Sequence, residues 1–574
     1  MKKMLSFFSV LFVTTTLLGQ VSFSDVATTS GVAVSYGSSV LGGGVSFADF
    51  DGDGWDDITY SSDENSRVYF FKNNNGTFSE VTFTGINHFY KTKQVIWVDY
   101  DNDGDKDFFA TSSNDVNKFY RNDGNMSFTD ISATCGLFTA NLFTYGASFG
   151  DIDNDGDLDV FISNRGEGAS QRNFLYLNDN GTSIDITNSA GIHPVGELSF
   201  CAAFFDYDND GDQDIYVAND KADKMNRFYK NNGDNTFEDV SIATGTGISI
   251  DAMSTTIEDY NNDGWLDIYV TNTTAGNYLF KNNGDGTFTN EATASGTEFN
   301  SIAWGATFLD ADNDSNLDLY VSGMLDGSDP NFISSAFYHS NGDNTFTIPT
   351  SIGFMNESRQ SYANAIGDYN NDGKPDIIVM NDTEANYLWK NETSNTNNWI
   401  KIKLEGTTSN KDGIGNKIEV FANGKSQYRY TLCGEGYLGQ NSSYEFVGVS
   451  TATNIDYIKV TWNTTGQVET ITNIQPNQSI IIQEGNGVLS IDNEGLSTFN
   501  IYPNPSVNGV FNIHFSANET HQLSIFDVSG RLLFTRTIIN LTDSFSLDTY
   551  AKGVYFAKIT SEEKSSTVVK LLNN

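Results

Sequence analysis

One nine-residue pattern, D-x-[DN]-x-D-[GS]-x-x-D, concentrates the chemistry of this sequence. It occurs seven times, starting at Asp49, Asp99, Asp151, Asp206, Asp259, Asp310 and Asp368, at spacings of 50, 52, 55, 53, 51 and 58 residues. Alternate residues of a tight loop can aim oxygens inward at positions 1, 3 and 5. Position 7 can add its backbone carbonyl, and position 9 returns a last carboxylate as the chain enters a strand. The candidate metal ligands are Asp49, Asp51, Asp53 and Asp57 in the first copy and Asp99, Asp101, Asp103 and Asp107 in the second. The third offers Asp151, Asp153, Asp155 and Asp159, and the fourth Asp206, Asp208, Asp210 and Asp214. The fifth offers Asp259, Asn261, Asp263 and Asp267, the sixth Asp310, Asp312, Asp314 and Asp318, and the seventh Asp368, Asn370, Asp372 and Asp376. An all-oxygen set points to Ca2+, up to seven ions. Magnesium demands stricter geometry, and zinc or copper would want His or Cys, which the pattern lacks.

Asp, Asn and Gly are also good turn formers, and for one copy that explanation would do as well. Position 9 argues against it for the set. It is Asp seven times at the start of an apolar run, where Asp is depleted. Repulsion argues the same way: two carboxylates ~4 Å apart cost roughly 4 kcal/mol at an effective dielectric near 20. Glycine at position 6 permits the sharp turn in six copies; Ser315 replaces it in the sixth, which is expected to bind most weakly. The start of the loop resembles an EF-hand, but position 12 holds no glutamate and strands flank it.

Short β-branched and aromatic runs follow each loop, such as Ile58-Thr59-Tyr60 and Ile215-Tyr216-Val217, and read as buried strands. A hairpin signature with an Asn/Gly turn comes next, as from Tyr229 to Phe237. About four strands per fifty-residue unit predicts a propeller blade. Most repeats end in a segment like Phe128-Thr129-Asp130-Ile131. The seventh lacks it, and the matching piece lies at Phe23-Ser24-Asp25-Val26. The N-terminal strand is therefore expected to complete the last blade, removing two exposed sheet edges. The expected fold class is all-β: a seven-bladed β-propeller followed by two small β-sandwich-like domains.

The chain carries 74 Asp+Glu against 32 Lys+Arg, a formal charge of −42, which argues against nucleic acid or anionic membrane as a partner. Seven Ca2+ would leave −28, still strongly anionic. Aromatic residues make up 13%, too many for a disordered acidic chain. Cys135, Cys201 and Cys433 are odd in number and widely spaced, and read as buried small residues. The five histidines, His88, His193, His339, His514 and His521, stand apart in sequence. Lys2 and Lys3 before the apolar stretch Met4 to Leu18 read as a signal peptide over 1–20, with no later segment long enough for a membrane span in the mature chain.

On these loops the chain resembles the FG-GAP and VCBS-type repeats of integrin-α-like propellers, which implies hairpin loops holding Ca2+ over residues 21–395. The region 396–485, with Trp399 to Leu404, Gly434 to Gln440 and Ile458 to Trp462, resembles the ASPIC/UnbV domain of the cartilage acidic protein family; Asn463 stands where that family has Pro. Its Gly-rich segment lacks the Lys and helix of a phosphate loop. A polar linker at 486–497 leads to 498–574, where Phe499 to Pro505, Leu523 to Arg531 and Gly553 to Lys558 resemble a type IX secretion sorting domain. That resemblance implies the type IX machinery as a partner and a secreted or outer-surface location. The expected role is adhesion, or binding of an extracellular glycan or protein. A polysaccharide lyase or hydrolase is the alternative; its acid/base groups would come from carboxylates such as Glu167, Glu197, Glu258 and Glu357, with His193 and Arg165 nearby in sequence.

Overall fold

The computed structural model describes residues 21–574 apart from 38–40, 138, 300, 325–333, 351, 355–357, 493–498, 505, 507–508, 516–519, 528–530, 562–565 and 574. The expected signal peptide and Glu357 lie outside the described residues.

Each Asp loop is the hairpin between a first strand and a second. In the first copy it joins Val45–Ala48 to Asp57–Tyr60, with Ala48 opposite Asp57. Tyr69–Asn73 and Phe78–Val81 continue the meander. Seven such antiparallel sheets recur. The second strands are buried along their whole length because both faces are covered by neighbouring blades, which is why they read as continuous apolar runs. First strands pack side by side in cyclic order, and Ser361–Gly367 of the seventh sheet lies beside Val45–Ala48 of the first, closing a ring. The expected closing strand is present: Phe23–Asp25 pairs antiparallel with Tyr387–Asn391, Phe23 opposite Asn391 and Asp25 opposite Trp389. Aromatic rings fill the wedges between blades. Trp97 meets Phe50, Phe70 and Phe108 at centroid distances of 4.9, 5.8 and 4.9 Å.

A second unit stacks two four-stranded sheets. One centres on Asn398–Glu405 and Gln478–Gln483, the other on Lys417–Ala422 and Tyr457–Trp462. Ile400, Ile402, Ile418, Val460, Trp462 and Ile480 fill the space between them. Gly487–Asp492 pairs with Gln478–Gln483, so this unit's pairing extends into the segment expected as linker. A third unit has a three-stranded and a four-stranded sheet around Phe511, Ile513, Leu523, Ile525 and Ile559.

The Gly-rich segment of the second unit is a plug for the propeller axis. Gly439 and Gln440 pair parallel with Val45 and Ser46, while Cys433 and Gly436 bridge Phe149 and Thr255, strands of three different blades. Tyr437 is fully buried, 5.4 Å from the Phe200 ring and 5.0 Å from Trp304, and its hydroxyl donates to the Leu41 carbonyl at 2.7 Å. Gln440 donates through Nε2 to the Trp97 carbonyl and accepts from the Trp97 N–H. Gly434 sits at φ +79°, and a Cβ there would lie 2.3 Å from the Ala147 carbonyl oxygen, so close backbone approach demands glycine.

Glu484 anchors one turn of this unit: its Oε2 accepts the N–H groups of Thr407, Thr408 and Ser409 at 2.8–2.9 Å. Burial alone would raise this carboxyl, but the three donors outweigh it and hold it down at about 2. Its folded-state value thus lies below the unfolded one, so its contribution is complete above about pH 4.5 and fades as pH falls towards 2. Glu484→Gln should cost about 1.5–3 kcal/mol at pH 7. In parallel melting series, the gap to the native chain should close below pH 4; a gap constant from pH 7 to pH 2.5 would contradict this.

Candidate metal centre

All seven loops share one hydrogen-bond frame. The position-1 aspartate accepts the N–H of position 5 on Oδ1 and that of position 6 on Oδ2, as Asp49 does from Asp53 and Gly54, both at 2.9 Å. The same pair recurs at Asp99, Asp151, Asp206, Asp259, Asp310 and Asp368. Position 5 accepts the N–H of position 7. Ser315 reaches the required left-handed backbone, φ +78°, and its hydroxyl donates to the Gly448 carbonyl at 3.0 Å.

Position 9 has partners that its residue type does not reveal. Asp57 Oδ1 accepts the Asn73 N–H at 2.7 Å and Oδ2 the Phe50 N–H at 3.1 Å. The Oδ1 bond recurs in every blade, at Asp107, Asp159, Asp214, Asp267, Asp318 and Asp376. This carboxylate therefore ties loop to third strand whether or not an ion is near. The Asn that follows does more. Asn231 Nδ2 donates to the Ile152 carbonyl of the preceding blade's loop at 2.7 Å, and Asn73, Asn178, Asn282 and Asn391 make the equivalent bond at 2.8 Å. Five of the seven loops are thus tied to the loop before them, in an open belt.

These bonds do not neutralise the charge. Burial pushes Asp57 up to about 9 and Asp107 to about 8, and lifts Asp159, Asp214 and Asp376 well above the usual carboxylate range. At position 1, burial first and like-charged neighbours after it raise Asp99 to about 7 and Asp151, Asp206 and Asp259 to about 6. Oxygens from Asp49, Asp51 and Asp53 lie within 4.8 Å of one another, as do those of Asp99, Asp101 and Asp103, of Asp151, Asp153 and Asp159, of Asp206, Asp208 and Asp210, and of Asp310, Asp312 and Asp314. Asp101, Asp208 and Asp312 each hold a buried Oδ1 with no hydrogen-bond partner among the described residues. Convergent oxygens, one of them left without a donor, fit a metal ion.

A basic column in the third strand stands beside these oxygens. Lys72 bridges Asp51 and Asp53, the latter at 2.8 Å; Lys230 bridges Asp208 and Asp210, the latter at 2.9 Å; Lys281 meets Asp263 at 2.8 Å. The third blade has Leu177 in this column and no such cation. In the sixth, His339 Nδ1 lies 2.7 Å from Asp318 Oδ1, and that hydrogen bond pushes the imidazole up to about 9. A histidine therefore does reach one loop, from outside the nine-residue pattern.

The second unit covers the loop face. Lys401, buried, donates to Asp368 Oδ2 at 3.0 Å and Asn371 Oδ1 at 2.7 Å. Thr464 donates to Asp151 Oδ2 at 2.7 Å, Asp412 accepts the Asp99 N–H at 2.9 Å, and Ser442 donates to Asp56 at 2.7 Å.

Three family models match. The FG-GAP-like repeat matches residues 49–110, 99–162, 206–270, 259–321 and 328–379; ASPIC and UnbV matches 406–489; the secretion system C-terminal sorting domain matches 500–573. The chain carries FG-GAP-like repeats, an ASPIC and UnbV domain and a type IX sorting domain. The sorting domain places it in the type IX route to the outer surface or the extracellular space. Among the described residues no helix is long and apolar enough to cross a membrane. Cartilage acidic protein 1 of Xenopus tropicalis is 24% identical over 266 residues, 41% of this chain and 40% of that protein. The mouse protein is 25% identical over 172 residues, 28% of this chain and 26% of that one. The chain thus spans less than half the length of the curated relatives it matches. Solved structures with distant likeness include BBS1N in complex with ARL6DN, with TM-score 0.39 and 12% identity over 63% of this chain and 95% of that one. The extracellular domain of the hybrid two component system BT4673 from B. thetaiotaomicron has TM-score 0.37 and 9% identity over 97% and 59%.

Among the glutamates considered for catalysis that the structure describes, Glu167 and Glu197 stand opposite each other across paired strands, with His193 Nδ1 3.4 Å from Glu197, while Glu258 lies on another blade; each of these carboxylates has a basic partner. Glu167 meets Lys224 at 3.0 Å, Glu197 meets Arg227 at 2.8 Å, and Glu258 lies 3.6 Å from Arg429. Arg165 pairs with Asp220, and His193 Nδ1 lies 3.1 Å from the Val195 carbonyl. The cysteines are free and buried, as expected.

Asn231→Ala removes the bond to the neighbouring loop and the one to the Gln213 carbonyl, leaving both acceptors buried. Denaturant unfolding should show a loss of about 2–4 kcal/mol. A loss under 0.5 kcal/mol would show that the belt does not hold the blades.

Proposed function

We propose that the chain is a secreted, calcium-loaded propeller that acts in adhesion, holding an extracellular glycan or protein without transforming it. The propeller spans 21–395, the ASPIC and UnbV domain begins at 396 and runs past the expected boundary at 485 through the strand Gly487–Asp492, and the sorting domain spans 498–574, after a signal peptide at 1–20. The carrying observation is the partnerless buried Oδ1 of Asp101, Asp208 and Asp312, each among carboxylates raised by desolvation. Positions 1, 3, 5 and 9 supply the carboxylates, or Asn261 and Asn370 at position 3, and the position-7 carbonyl completes an oxygen set suited to Ca2+. The third loop, with no basic side chain in its column, binds most tightly. The sixth, with Ser315 and His339, binds most weakly.

Calcium contributes by holding the loop face rigid under the second unit, so recognition should depend on it. The test is retention of fluorescently labelled full chain on intact cells and on immobilised extracellular polysaccharide and protein, with calcium and with EGTA, beside assays for released sugar. Retention that falls at least tenfold in EGTA, with no sugar released, is expected. Calcium-independent retention, or steady release of oligosaccharide, would overturn the reading.

A further inference from the structure

We infer that a groove between the fourth and fifth loops and the second unit binds a neutral carbohydrate. This rests on the binding reading above and gives it an address. The groove has a volume of about 580 Å3, within the size range of small-ligand clefts. Two half-buried aromatic rings line it: Trp265, at position 7 of the fifth loop, and Tyr428 of strand Lys425–Tyr430.

Glycines seat both rings. A Cβ on Gly284 would lie 2.8 Å from Trp265 Cε2, and one on Gly264 would lie 3.5 Å from Tyr428 Cζ. Main chain thus backs both rings, and the Lys417 ammonium stands 5.1 Å from the Tyr428 ring centroid. Around them the polar groups are mixed in sign and already oriented. Asn154 Nδ2 donates to Asp212 Oδ1 at 2.9 Å, Asn463 Nδ2 to the Gly415 carbonyl at 2.7 Å, and Lys459 pairs with Glu419.

This chemistry selects a class of ligand. A phosphate or carboxylate would want unopposed cations, and here each ammonium has acidic or carbonyl neighbours. An apolar ligand would want apolar walls. A pyranose ring has C–H faces to lay on aromatic rings and hydroxyls that both donate and accept, which matches carboxylate, amide and ammonium together. Trp also holds position 7 in the first loop, as Trp55, but there it does not line a groove of this kind. The corresponding gap at the first and second loops, about 370 Å3, has Asp105 at position 7 and no Trp or Tyr in its lining.

The test is affinity electrophoresis of the calcium-loaded full chain through gels containing laminarin, galactomannan, xylan or dextran, with Trp265→Ala and Tyr428→Ala alongside. At least one polymer should retard the native chain. Each substitution should weaken that interaction at least tenfold at saturating calcium, the condition that matters because Trp265 also brings its position-7 carbonyl to the fifth loop. If Tyr428→Ala lowers Tm because its ring sits at the domain junction, Trp265→Ala carries the comparison alone. Retardation that survives Trp265→Ala sinks the groove but leaves the binding reading intact. No retardation by any of the four polymers sinks the groove whatever else the chain binds.

Discussion

An aspartate at the first position of a loop has both oxygens filled by backbone N–H groups, yet its charge is withdrawn from water beside other carboxylates. Those N–H groups are dipoles; they orient the charge without cancelling it. The same conflict recurs seven times around one ring, so whatever resolves it acts on the whole propeller. Some of the resolution is internal. Lys72, Lys230 and Lys281 lean on positions 3 and 5, but they are partly exposed, and such pairs contribute little. The third loop has no lysine of this kind, and its four aspartates state the problem most plainly.

The second unit supplies further counter-charge from the other side. Lys401 reaches the buried Asp368, and Lys425 and Lys417 donate to Asn316 and Asn209, at 2.6 and 2.7 Å, beside the sixth and fourth loops. With Tyr437 and Gln440 driven into the axis, this unit is a lid on the propeller. Removing one member of a buried ion pair such as Lys401–Asp368 leaves a charge without compensation, a cost of about 3–5 kcal/mol. Loop order and lid docking are therefore one equilibrium: anything that splays the loops loosens the lid, and the groove beside Trp265 exists only while the lid is seated.

Much of this was legible because it is local and repeated. The hairpins, the buried second strands and the closing strand at Phe23–Asp25 all follow from spacing, since each blade restates the same pattern. Position 9 was legible as a constraint, but the backbone bonds that share it were not. Its partners are backbone donors 15 to 22 residues downstream, such as those of Asn122 and Ser340, and a backbone N–H leaves no mark in residue type. An ion is favoured by the converging oxygens, Asp159 of position 9 among them, and by the unpartnered Oδ1 atoms. The basic column was in plain sight before each conserved-looking Asn of the third strand, Lys72-Asn73 and Lys230-Asn231 among them, and aligning the repeats there would have revealed both His339 and the exception at Leu177. The plug was illegible. Gly434 to Gln440 contacts strands that lie between about 70 and 400 residues away in sequence, and nothing local separates a Gly-rich plug from a Gly-rich loop.

Five of the hairpins bring desolvated aspartate oxygens within 4.8 Å of one another, an arrangement that divalent cations would relieve, and metal content reads directly whether they do. Atomic absorption on protein purified without any chelator should find several equivalents of calcium per chain, at most seven, and stripping them should lower the melting temperature, since each ion at a hundredfold excess over its Kd adds about 2.7 kcal/mol. A chain that comes off the column without stoichiometric calcium, and melts at the same temperature before and after EDTA, would contradict the account.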